Sequence, residues 1–136
     1  MTAATLQQYL MEAASTPWTW GLNDCCTLVA DWSVWRGNDD PMARWRGEYD
    51  CEAGARAFMA DGGGIIDLMT LGMIEAVIPE CDEPRLGDVG IVTVLGEHGP
   101  EEVGAIYGGK RWHMRSPNGL FCASIAKQFV HMTWRP

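Results

Sequence analysis

The first half of the chain carries its apolar residues at helical spacing, and the second half carries them in short β-type runs. Leu6, Tyr9, Leu10 and Ala13 share one face of a helix over residues 6–14, which Ser15-Thr16-Pro17 ends. Leu28, Val29, Trp32 and Trp35 repeat that spacing over 25–35, with Asp24 in front as an N-cap and Arg36-Gly37-Asn38 behind. Asp40-Pro41 reads as a cap followed by proline at the first helical position, which predicts a short helix through Trp45. Asp50 predicts a further helix over 51–60, stopped at Asp61-Gly62-Gly63-Gly64. Residues 65–76 read as another, interrupted at Gly72. After the polar connector 79–84, the runs 89–94, 103–107, 111–115, 120–125 and 128–134 predict five strands, with Pro117-Asn118-Gly119 as a turn. Helices first and an antiparallel sheet afterwards predict an α+β fold. The absence of a long linker or an internal repeat predicts one domain over 1–136.

Composition narrows the classes of partner. Apolar residues make up 47% of the chain and charged residues 21%, as in an ordinary globular protein. The formal net charge is -8, which repels phosphate backbones and anionic lipid heads, so neither nucleic acid nor a membrane is the expected partner. No stretch reaches the roughly 18 apolar residues of a membrane span. The first residues show no basic or apolar leader pattern, and the expectation is synthesis in the cytoplasm without a signal peptide. Seven Trp either build a core or form a contact surface, and the sequence leaves both open. Five scattered cysteines do not suggest a disulfide framework. Without a CxxC, and with His98, His113 and His131 irregularly spaced, no metal is expected, and no organic cofactor is implied.

The sharpest local feature is Trp18-Thr19-Trp20-Gly21-Leu22-Asn23-Asp24-Cys25-Cys26-Thr27. It places a cysteine on the first turn of a helix, where free N–H groups and the positive dipole end favour a thiolate. A thiolate is a strong nucleophile. The plainer reading makes Cys25 and Cys26 small buried hydrophobes at a helix start. Adjacent helical residues point about 100° apart, so only one of the two can face a cleft. Vicinal thiols also leave a redox or metal-binding role open, although they make strained disulfides and incomplete metal shells. His98 lies in the loop Gly96-Glu97-His98-Gly99-Pro100, and His113 in the strand segment Arg111-Trp112-His113-Met114. Read plainly, these are a solvated loop residue and a sheet-face residue; His131 shows no constellation.

The order of these motifs resembles that of the NlpC-like cell-wall peptidases, a compact branch of the papain-like fold. Trp18-Thr19-Trp20-Gly21 resembles their aromatic-x-x-Gly approach, and Asp24-Cys25-Cys26-Thr27 their Asp-Cys-Ser-Gly helix start. Leu86-Gly87-Asp88-Val89 resembles their Pro-Gly-Asp strand entry, and Glu102-Val103-Gly104-Ala105-Ile106-Tyr107-Gly108 their His-Val-Gly-Ile-Tyr-x-Gly strand. The resemblance implies a papain-like NlpC-type fold and a cysteine peptidase or amidase that cuts peptidoglycan stem peptides. It assigns Cys25 as nucleophile, Trp18 as the aromatic beside it and His113 as the third polar residue. Trp18, Trp20 and Asp24 become the expected substrate contacts.

The family's base histidine falls where this chain has Glu102. A glutamate, with reference pKa about 4.3, is already anionic at neutral pH, and a nearby anion suppresses a thiolate. Two arrangements would restore a base: His98 swinging in from its loop, or His113 pairing with Cys25 while Glu102 orients the imidazole. The Trp-x-Trp-Gly approach, Trp32 and Trp35, and Gly37-Asn38-Asp39-Asp40-Pro41 resemble, more narrowly, the small peptidase-like proteins encoded among phage and gene-transfer-agent tail genes. That resemblance implies a place in a virion tail tip, with hub proteins and peptidoglycan peptide as partners. An active hydrolase and a degenerate fold serving as a structural adaptor both remain open.

Overall fold

The computed structural model describes residues 1–136. Four helices come first: α1 (Ala3–Ala14), α2 (Cys25–Trp35), α3 (Glu52–Asp61) and α4 (Ile65–Glu75). Five strands follow: β1 (Val89–Gly96), β2 (Gly99–Tyr107), β3 (Trp112–Ser116), β4 (Gly119–Ala123) and β5 (Val130–Trp134). They form one antiparallel sheet in the order β4-β3-β2-β1-β5. The α+β class and the five strands expected from the sequence are therefore present.

Strand alternation sorts the sheet into two faces. Val89, Ile91, Ile106 and Trp134 join the larger core with Leu28, Val29 and Trp32 of α2 and Met69 and Met73 of α4. The other face carries a smaller core of Val92, Ala105, Trp112 and Met114. Because β4 and β5 are opposite edges, the chain between them must cross the sheet, and Ile125 packs on that smaller core as it does so. Trp32 is fully buried and its Nε1–H donates to the Gly87 carbonyl at 2.8 Å, which fastens α2 to the start of β1. Arg115 on β3 is also buried, and its Nη2 donates to Ala13 O at 2.7 Å, a carbonyl at the C-terminus of α1 that also accepts from Thr16 N at 3.2 Å.

Two expected features differ. The stretch after Asp40-Pro41 forms turns through Gly47 rather than a helix, although Asp40 Oδ1 does accept from Met42 N at 2.9 Å as a cap would. Asp40 and Asp31 converge there on Arg46, each at 2.6 Å, and that ion cluster holds the turns. Helix α4 runs unbroken through Gly72. A Cβ at Gly72 would lie 2.0 Å from the Pro41 carbonyl oxygen, so the glycine marks close approach of two backbones rather than a break.

Candidate functional site

The N-terminus of α2 is built around Asp24. Its Oδ1 accepts from the N–H groups of Cys26 and Thr27, both at 3.0 Å. Its Oδ2 accepts from Gly21 N at 2.9 Å and from the Tyr49 hydroxyl at 2.8 Å. Thr27 returns a contact from its Oγ1 to Asp24 N at 2.7 Å, completing a reciprocal capping box. Asp24 is 2% exposed. Both carboxylate oxygens are occupied within the chain, so the expectation that Asp24 contacts substrate gives way to a positioning role. Burial, with the Cys26 and Asp24 charges behind it, raises the Tyr49 hydroxyl far above its usual range, so it stays a donor.

The cap presents the two cysteines differently. Cys26 is 2% exposed and packs into the larger core, whereas Cys25 is half-buried. The Cys26 thiol is pushed well above its ordinary value by contact with Cys25, by burial and by the neighbouring Asp24. Cys25, which packs at the edge of the same core, is therefore the more accessible of the two sulfurs. Its backbone N–H has no acceptor in the chain. Its Sγ has one polar neighbour, Cys26 Sγ at 3.9 Å.

Gly104 on β2 faces this helix start. A Cβ there would meet the Cys25 carbonyl oxygen at 2.8 Å and Val29 Cγ2 at 3.0 Å, so the small residue lets α2 lie directly on the strand. By alternation Glu102 shares the face of Gly104, and it is exposed. His113 shares the same face through its pairing with Ile106. Its ring, however, is aimed along the sheet: Nε2 lies 2.6 Å from where a Cβ at Gly108 would be. Four residues of extended chain, at about 3.3 Å each, put about 13 Å between Gly104 and Gly108. The Cys25 carbonyl lies over Gly104, and the His113 Nε2 lies over Gly108. Burial lowers the His113 pKa, which keeps the imidazole neutral.

His98 does not swing in. It stands at the tip between β1 and β2, 61% exposed, with Nε2 3.7 Å from Glu52 of α3. Glu101, on the face opposite Glu102, is held by Arg56 at 3.2 Å. No histidine nitrogen hydrogen-bonds to Cys25, and no cluster of metal-ligating side chains forms. Trp18 and Trp20 are half-buried and meet edge to face at 4.9 Å between ring centroids, so the loop before the cap is stiffened by its own aromatics.

Sequence reasoning missed two partners. Tyr49 closes the Asp24 network from 25 residues away, and no local pattern announces it. His131 meets Thr93 Oγ1 at 2.5 Å, and Thr93 is the cross-strand partner of Glu102. The pairing of β1 with β5 slips between Ile91 and Val92, and that irregularity brings His131 into the row.

No curated protein and no solved structure matches the chain. A family profile matches residues 2–135, nearly the whole length, and on that match the chain belongs to the family described as Domain of unknown function (DUF6950).

Proposed function

We propose that this protein is a papain-like domain of the NlpC type that has lost hydrolysis and serves as a structural adaptor in a phage-type tail tip. One observation carries the reading: the Cys25 sulfur has no base. Its only polar neighbour is the Cys26 thiol, Glu102 stands where an imidazole belongs, and His113 Nε2 is turned over Gly108. Hydrolysis by a thiol needs a group that takes its proton and then protects the thiolate, within about 3 Å or through one water. An anionic glutamate on that face opposes the thiolate instead. What remains is the scaffold: a capped helix, a sheet packed against it and an aromatic loop beside the cap. The half-buried Trp18 and Trp20 offer the kind of rigid anchor that protein partners in a tail-tip hub use.

The alternative is an active cysteine peptidase or amidase acting on peptidoglycan stem peptides. It is favoured by the half-exposed Cys25 on a helix N-terminus and by its backbone N–H, which has no acceptor in the chain and is left for an oxyanion. Peptide-resolved labelling with a thiol-reactive probe between pH 5 and 9 separates the two. The adaptor reading expects Cys25 to react with the pH profile of an ordinary thiol, unchanged in His113→Ala, and expects no cleavage of peptidoglycan fragments. Fast labelling below pH 7 that disappears in His113→Ala, together with fragment cleavage, would establish the peptidase instead.

A further inference from the structure

We propose that the cleft at the far end of α2 from Cys25 is a binding site for small polyanions carrying phosphate groups or clustered carboxylates. The cavity has a volume of about 320 Å³, within the range of small-ligand sites, and is lined by Arg36, Arg85 and Arg135 over a floor of Gly87 and Asp88. The chain holds 10 Lys and Arg in all and a net charge of -8, so three guanidiniums at one cleft are a concentration of charge against the trend. Opposing them at the cleft is Asp88, and the Met1 side chain lies over Gly87.

Two of the three cations are held in place by the chain, and the third is left free. Arg135 Nη2 donates to Asp88 Oδ2 at 2.9 Å and to the Glu83 carbonyl at 3.1 Å, and its Nε lies 3.2 Å from both Asp88 oxygens. Nη1 makes no contact of this kind and is left for a ligand. Arg36, the C-cap of α2, lies over the Trp32 ring at 5.8 Å. The same indole holds the Gly87 carbonyl at 2.8 Å, so one buried side chain positions both the floor and a wall. Arg85 is tied by its backbone, whose N–H donates to Asp88 Oδ2 at 2.7 Å. The guanidiniums of Arg36 and Arg85 form no ion pair within the chain.

Planar guanidinium forks match phosphate and carboxylate oxygens two at a time, and their charge does not titrate in the physiological range. A monoanion engages one fork; a ligand of two or three anionic groups engages the set, which is why a polyanion is the class inferred. Helix α2 has 11 residues, at about 1.5 Å each roughly 16 Å, so this cleft is separate from the thiol and independent of its function.

Isothermal titration of the intact protein at low ionic strength, with pyrophosphate and citrate as separate probes, tests the proposal. Saturable binding of at least one is expected, weakened at least tenfold in Arg36→Gln/Arg85→Gln and unchanged in Cys25→Ala. Tighter pyrophosphate binding assigns a phosphate ligand, and tighter citrate binding a polycarboxylate. Arg85→Gln alone, a change at an exposed side chain without a partner, guards against misfolding of the double variant and should itself weaken binding. No saturation by either probe at millimolar concentration overturns the proposal. So does equal binding by the arginine variants, or an equal heat from sodium chloride at matched ionic strength.

Discussion

The Asp24 network gives the most demanding test of how the helix start is built. Asp24→Ala removes an N-cap, which costs about 0.5–2 kcal/mol. It also strands the Tyr49 hydroxyl and Gly21 N–H, two donors that now meet Asp24 Oδ2 at 2.8 and 2.9 Å inside the protein. A buried donor left without an acceptor costs about 1–3 kcal/mol. Together these place the loss at roughly 2.5–8 kcal/mol, a large share of the about 5–15 kcal/mol that holds a typical domain folded. Tyr49→Phe removes one donor from a carboxylate that keeps three and should cost about 1 kcal/mol. In the double variant the hydroxyl is no longer stranded, so the two losses should not add. Urea unfolding of the four proteins measures the coupling, with an expected value of about 1–2 kcal/mol. A coupling near zero, or an Asp24→Ala loss under about 1 kcal/mol, would refute the assignment of Asp24 as the hub of the cap.

Two further outcomes follow from the charges. Asp31 has its pKa raised mainly by burial, with Arg46 pulling against that shift. A carboxyl whose folded pKa exceeds its unfolded value binds more protons when folded, so its ionisation costs stability as pH rises through that window. Arg46→Met removes the opposing cation and widens the window, and urea unfolding should show a larger loss at pH 7 than at pH 4; equal losses would count against the cluster. Glu102→His replaces an anion by an imidazole on the sheet face that carries Gly104, and exchanging a like charge for an ion-pair partner within reach of the sulfur would raise the thiolate population about tenfold. Labelling of Cys25 at pH 6–7 should accelerate by that order, and an unchanged rate would mean that position 102 does not reach the thiol.

Periodicity revealed α2 with its full bounds, because the apolar stripe and the Asp24 cap agree in position. The strands were legible as β-type runs, but β2 begins at Gly99 rather than 103, since Gly99, Pro100 and the glutamates give no apolar alternation. The short helix after Asp40-Pro41 was misread because local cap chemistry was present while Arg46 drew Asp31 and Asp40 into a turn cluster. Gly72 was misread for a related reason. Its low helix propensity is local, and its contact with Pro41 is not. At the candidate site, the exposure difference between Cys25 and Cys26 followed from helix geometry. The direction of the His113 ring did not, because pairing opposite Ile106 leaves the ring free to turn toward Gly104 or Gly108, and it turns toward Gly108.

On the adaptor reading, a motif order persists without its chemistry, and the helix start bears on how. Every residue of the Asp24-Cys25-Cys26-Thr27 start has a structural task that stands without catalysis. Asp24 and Thr27 close the capping box, Cys26 fills the core, and Cys25 sits at a first-turn position that tolerates a half-exposed side chain. Gly104 is required by the approach of α2, whatever Cys25 does. The positions that serve only chemistry are those with no packing role, and Glu102 is one: exposed, with no hydrogen-bond partner for its side chain, and free to be any polar residue as far as the fold is concerned. An acidic residue at the one site position the fold does not constrain is what a lineage keeping the scaffold and discarding hydrolysis would leave. The active-enzyme reading must instead turn the His113 ring away from Gly108 and toward the helix start, because its Nε2 now lies over that glycine.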